Sequence, residues 1–194
     1  MKQYLRMLAI LILAALPLVL SACDITITPS GSAGTNPIST VGATASSGTS
    51  GSVALGKRTK TAGCVAHNGL PDSACTPGAI FASATVQEIC TSGYASSVRN
   101  VPYSEADDVY AEYGIYHHSY GQYEDDHLVP LELGGSNDIA NLWPEAASPT
   151  PGFHQKDEVE NYLHDQVCSG ALALKDAQQE IATNWLAVYN RMPK

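Results

Sequence analysis

An acid and a histidine stand side by side at Asp126 and His127, inside the run Tyr-Glu-Asp-Asp-His-Leu-Val-Pro-Leu at 123–131. In an extended strand, neighbouring side chains point to opposite faces. One of the pair can therefore hold a cation while the other takes a proton from water. Histidine suits the second task because its ordinary pKa lies near neutral pH. Gly134 and Gly135 follow, a pair that permits positive φ and a reversal of the chain. Asn141 then heads a second apolar piece, Asn-Leu-Trp at 141–143. A hairpin folded at the glycines returns Asn141 beside His127.

The whole pattern is Asp-His-Leu-Val-Pro-Leu-x-x-Gly-Gly-x-Asn-x-x-x-Asn-Leu, beginning at Asp126. It resembles the core of the HNH endonuclease family over 123–168, and 76–115 is similar to the front half of small secreted bacterial HNH proteins. The resemblance implies an α+β fold with a ββα-metal core, a hairpin followed by a helix around one divalent cation, Mg2+ or Mn2+. It implies that Asp126 is a direct metal ligand, that His127 is the general base, and that Asn141 orients it. The implied substrate is nucleic acid, DNA foremost with RNA as the alternative. Magnesium suits the cutting of a phosphodiester because it is a hard ion that prefers oxygen ligands and keeps waters.

The family's third position, a His or Asn on the helix, is where the chain departs from the pattern. His154 is the nearest literal match, Asp157 ranks with it, and Asn161 stands behind them. Lys156 completes a His-x-Lys step and has two readings, approach to a phosphate or an exposed ion pair with Glu160 at i+4. No Cys-x-x-Cys-His precedes the helix, so the zinc knuckle of many HNH proteins is missing and disulfides are expected to brace the core instead. Arg99 also has two readings, a salt bridge to one of many carboxylates or a phosphate clamp, which the planar guanidinium suits.

The elements that must position these groups are legible by periodicity. Val159, Leu163 and Val167 recur at i, i+4 and i+8, which predicts a helix over about 154–167 with an apolar stripe, stopped by Gly170. His154, Asp157, Asn161 and His164 fall on its other side. A last helix is expected over about 175–189, packing through Ala177, Ile181, Trp185 and Val188. Residues 104–113 read as a helix with Ser104 as N-cap and acids in its first turns. Residues 82–89 and 94–101 carry short apolar alternations, read as strands or a short helix with a hairpin. His117 and His118 precede the Asp126 segment and are read as loop histidines rather than ligands.

The front of the chain is an address. Lys2 and Arg6 precede an apolar run at 8–20, too short for a comfortable membrane span, and Leu20-Ser21-Ala22-Cys23 resembles a bacterial lipobox. That resemblance implies removal of 1–22 and lipidation of Cys23, which ties the protein to a membrane outside the cytoplasm. An ordinary signal peptide, giving a secreted protein, is the alternative. Residues 23–55 are rich in Ser, Thr, Gly and Ala and are expected to form a flexible tether, with the nuclease-like domain over 56–194.

Export governs how the cysteines are read. Cys64, Cys75, Cys90 and Cys168 form an even set without a Cys-x-x-Cys pair, pointing to two disulfides rather than zinc. Three pairings are open, of which Cys64 with Cys75 and Cys90 with Cys168 is favoured.

Charge works against the nuclease reading. The chain carries a formal −9, and loss of Lys2 and Arg6 leaves 8 basic residues against 19 acidic ones, or −11. Phosphate contacts supply much of nucleic-acid affinity, so an acidic total favours the competing reading of a binding lipoprotein without cleavage. Acids gathered at a cation site are partly neutralised by it. Lys57, Arg58 and Lys60 form a basic cluster that is either solvated or set against phosphate. No protein partner follows from these residues. Labelled palmitate is expected to enter the full chain expressed in a bacterium and to be absent from Cys23→Ser, with the variant moving from the membrane to the soluble fraction.

Overall fold

The apolar stripes decide the architecture. In the computed structural model, which describes residues 52–194, the fold is α+β, with two small antiparallel sheets and five helices. Strand β1 (Ser52–Ala54) pairs with β2 (Ala79–Phe81), and β3 (Tyr123–His127) pairs with β4 (Leu142–Ala146). The helices are α1 (Val86–Ile89), α2 (Tyr94–Val98), α3 (Tyr103–Glu112), α4 (Phe153–Cys168) and α5 (Leu174–Arg191). Cys23, its lipobox and the tether up to residue 51 lie outside the described residues. No described helix is long and apolar enough to cross a membrane.

Helices α4 and α5 pack through the predicted positions. Val159, Leu163 and Val167 meet Ala177, Ile181, Trp185 and Val188, and Ile89, Val129 and Leu133 close the same cluster. Burying a side chain of this size contributes about 1.5–3 kcal/mol, so this cluster holds α4 against the loop that follows β3. The Trp185 indole N–H donates to the Gly69 carbonyl at 2.8 Å, which brings the front of the chain onto α5.

Several expectations are corrected. The tether ends sooner than residue 55, because Ser52–Ala54 is already paired in a sheet. Helix α3 begins at Tyr103 with Pro102 at its N-cap, so Ser104 lies inside the first turn and caps nothing. Of the two readings of 82–89 and 94–101, strands or a short helix with a hairpin, the helical one is nearer: the segments hold the short helices α1 and α2. Thr85 caps α1 in a reciprocal arrangement with Glu88, whose carboxylate accepts the Thr85 backbone N–H at 3.0 Å. The basic cluster is largely committed: Arg58 pairs with Glu112, and Lys60 with Asp72 at 2.9 Å.

Disulfides join Cys64 to Cys75 and Cys90 to Cys168, the favoured pairing. The second links the end of α1 to the end of α4 across 78 residues of sequence. Disulfides persist in oxidising compartments, which fits an extracellular protein.

The link between β3 and β4 is longer than a glycine hairpin. It contains two short 3-10 turns, Leu131–Leu133 and Ile139–Asn141. Gly134 ends the first at φ 76°, a conformation that suits glycine. Gly135 is needed for a different reason: a Cβ there would stand 1.8 Å from the Val129 carbonyl oxygen. Gly135→Ala is expected to cost about 1–3 kcal/mol, read as a lower urea midpoint with an unchanged slope.

Candidate active site

Strand β3 places the chemistry at its last two positions, with Asp126 opposite Trp143 and His127 opposite Leu142. The alternation holds: Asp126 turns toward α4, and His127 toward the loop that carries Asn137. Because they stand where the strand ends, both still line one small cleft of about 50 Å3, together with Arg99, Glu132 and Glu160. A larger cleft of about 820 Å3 runs beside Tyr113, Tyr123 and Pro149 and includes neither of them.

His127 is only 3% exposed. Its Nε2 lies 3.3 Å from Asn137 Oδ1. The Asn137 amide is fixed from both ends, since Nδ2 donates to the Val98 carbonyl at 2.8 Å and Oδ1 accepts the Asn100 N–H at 3.1 Å. The oxygen must therefore be the atom that faces the ring, and Nε2 must carry the proton. That leaves the lone pair on Nδ1. Burial pushes the His127 pKa down to about 4, with Asp126 opposing. The ring is thus neutral at pH 7, able to accept a proton but weakly basic at rest.

Asn141 does not orient this ring. Its Oδ1 accepts the backbone N–H groups of Val129 at 2.9 Å and Ala79 at 3.2 Å, and its Nδ2 donates to the carbonyls of Val129 and Ser136, both at 2.9 Å. The side chain is fully buried and spent on these four bonds. Its backbone carbonyl accepts from Leu128 N–H at 2.8 Å. Asn141 shapes the loop, and Asn137 positions the imidazole. Asn137 belongs to the same motif, but only the folded loop distinguishes the two asparagines.

Of the two readings of Lys156 the i+4 ion pair with Glu160 holds, but it is buried and not exposed. Lys156 is buried to 1% exposure and reaches no surface phosphate. Its ammonium lies 2.6 Å from Asp126 Oδ2, pairs with Glu160, and donates to the His127 carbonyl at 2.9 Å. Burial alone would lower its pKa, but Asp126, Glu160 and Glu145 outweigh burial, and it stays charged. Glu145, 1% exposed, has no hydrogen-bond partner on either oxygen among the described residues. Burial first, then Asp126, pushes its pKa far above the usual carboxylate range.

The helix side chain that lines the cleft is Glu160, not His154 or Asp157. His154 is exposed, with its ring 4.2 Å from that of Phe153. Asp157 is exposed too, near enough to Asp126 that burial and then that carboxylate raise its pKa. Asn161 donates to the Asp157 carbonyl of its own helix. His118 stacks on Tyr110 at 4.5 Å and stays out of the cleft, as does His117. Arg99 does reach it, at the C-cap of α2. One signal for Lys156 and Glu160 was present in the sequence: Lys156 interrupts the buried stripe three residues before Val159, and a charge there needs a buried partner.

The carboxylates at the cleft are of the oxygen type that hard divalent cations prefer, but they are not drawn together as a ligand cluster among the described residues, and Lys156 pairs with two of them. Asp126, Glu132 and Glu160 present carboxylates to one cleft, and buried Glu132 Oε1 has no hydrogen-bond partner among the described residues. No protein-family model, no curated protein and no solved structure matches this chain.

On the His127 side of β3, Asp125 has a buried Oδ1 without a partner among the described residues. Burial, then Asp126, Glu105 and Glu124, push its pKa up to about 7, against Arg99. In the unfolded chain it returns to the ordinary value of 3.8. The folded state therefore binds the extra proton, and this group destabilises the fold as pH rises from 3.8 to about 7. Asp125→Asn is expected to stabilise the protein by about 2 kcal/mol more at pH 8 than at pH 5, measured by urea unfolding at both values.

Proposed function

We propose that this protein is a divalent-metal-dependent endonuclease of the HNH, ββα-metal type, hydrolysing phosphodiester bonds of DNA outside the cytoplasm, where a lipid on Cys23 anchors it. The observation that carries this reading is the convergence of Asp126, His127, Arg99 and Glu160 on one cleft, with His127 neutral and its Nε2–H committed to Asn137.

In this reading His127 Nδ1 takes the proton from the attacking water. The ring needs no tautomer exchange, since Nε2 already holds its proton. Arg99, on the cleft wall, binds a non-bridging oxygen of the scissile phosphate. Asp126 and Glu160, with Glu132 beside them, would hold Mg2+ or Mn2+, which when bound lowers the pKa of water and neutralises charge on the phosphate and the departing 3′ oxygen. Lys156 keeps Asp126 and Glu160 in place from behind and makes its contact with His127 through the backbone carbonyl.

A second reading, a surface-tethered binding protein that does not cleave, draws support from the acidic charge and from the Lys156 ammonium. That ammonium already neutralises two of the carboxylates a cation would use. Plasmid nicking separates the two. The full chain is expected to nick supercoiled DNA with Mg2+ or Mn2+ and not with EDTA, and His127→Ala to lose about 100-fold to 10,000-fold in rate while keeping the helical circular dichroism of the wild type at the assay temperature. Full activity in that variant would remove the proposed base, and an inert wild type would favour the binding protein.

A further inference from the structure

Away from the cleft, Cys90, His164 and Cys168 place one ligand atom each within 4.8 Å of one another. We propose that this cluster is a brace with two interchangeable forms: the disulfide under oxidising conditions, and a site for a thiophilic divalent cation such as Zn2+ once the disulfide is reduced.

The geometry supplies most of a tetrahedral site already. His164 and Cys168 stand one helical turn apart on α4, and His164 Nε2 lies 3.4 Å from Cys168 Sγ. A zinc ion with ordinary Zn–N and Zn–S bonds holds such a pair roughly 3.6 Å apart, so the spacing of these two atoms already suits a shared ion. The Cys90 sulfur must withdraw. It can do so by rotating its side chain, because Cys90 is exposed at the end of α1 and its Cα lies 5.7 Å from that of Cys168. The histidine must also change tautomer. Its Nε2–H now donates to the Ile89 carbonyl at 3.1 Å, and coordination moves that proton to Nδ1.

The chemistry balances with a named co-reactant. A phosphine or dithiol reductant delivers two electrons to the sulfur–sulfur bond and is itself oxidised. Two protons from solvent then complete the Cys90 and Cys168 thiols, and the cation displaces both on binding. Water fills the fourth position. Either form ties the C-terminus of α1 to the C-terminus of α4, so the brace survives loss of its covalent bond where metal is present.

The test titrates Co2+ into the full chain after phosphine reduction. One Co2+ per chain is expected, with thiolate-to-cobalt bands in the near ultraviolet, tetrahedral d–d bands in the visible, displacement by Zn2+, and no such spectrum from the oxidised protein. Zn2+ should raise the melting temperature of the reduced chain only. His164→Ala still forms the disulfide and should lose both the d–d bands and the Zn2+ shift in melting. Absence of the spectrum in reduced wild type overturns the proposal. So does an unchanged spectrum in His164→Ala, which would place the metal on the Cys64 and Cys75 thiols, and so does uptake by a chain that lacks helical circular dichroism.

Discussion

A single buried ammonium holds the site together. Lys156 enters from α4 into the space behind β3, where 1% of it remains exposed, and meets Asp126, Glu160 and the carbonyl of His127. Taking a charge this far out of water costs several kcal/mol unless it is paired. The pairing therefore dictates where α4 can sit: its register must place Lys156 against Asp126, and that register also carries Glu160 to the cleft. Removing one partner of such a buried arrangement typically costs 3–5 kcal/mol. The apolar stripe presses the helix onto the core, but it is non-directional and tolerates sliding. The ion pairs select one position along the axis.

The second constraint is amide hydrogen bonding, and the two asparagines divide it. Asn141 satisfies backbone groups of Ala79, Val129 and Ser136, welding β2, the end of β3 and the intervening loop into one unit. Asn137 then sits where its oxygen faces His127 and its nitrogen faces Val98. A buried side chain with four donors and acceptors satisfied is a rigid part, and rigidity in the loop turns the Asn137 contact into control of the imidazole tautomer. Gly135 serves the same end by letting the loop backbone approach Val129 closely.

Electrostatics links this local order to the acidic character of the chain. Carboxylates crowd both faces of β3; Lys156 is spent on Asp126 and Glu160, and Arg99 stands at the cleft. Arg58 and Lys60 are engaged with Glu112 and Asp72. Affinity for a polyanion would therefore rest on the cleft and its neutralised carboxylates rather than on a broad basic surface.

The helical stripes at 159–167 and 177–188, the motif from Asp126 to Leu142 and an even set of four cysteines were readable in the sequence, because period, turn chemistry and counting are local properties. They sufficed for an α+β chain with its candidate site at the end of a strand. The helix residue that lines the cleft, the assignment of the imidazole contact to Asn137 in place of Asn141, and the pairing of Lys156 with Asp126 were decided by tertiary structure. Each depends on which polar groups remain unpaired once the core has closed. That is a property of three-dimensional neighbours far apart in sequence, such as Lys156 and Asp126, and no spacing along the chain encodes it.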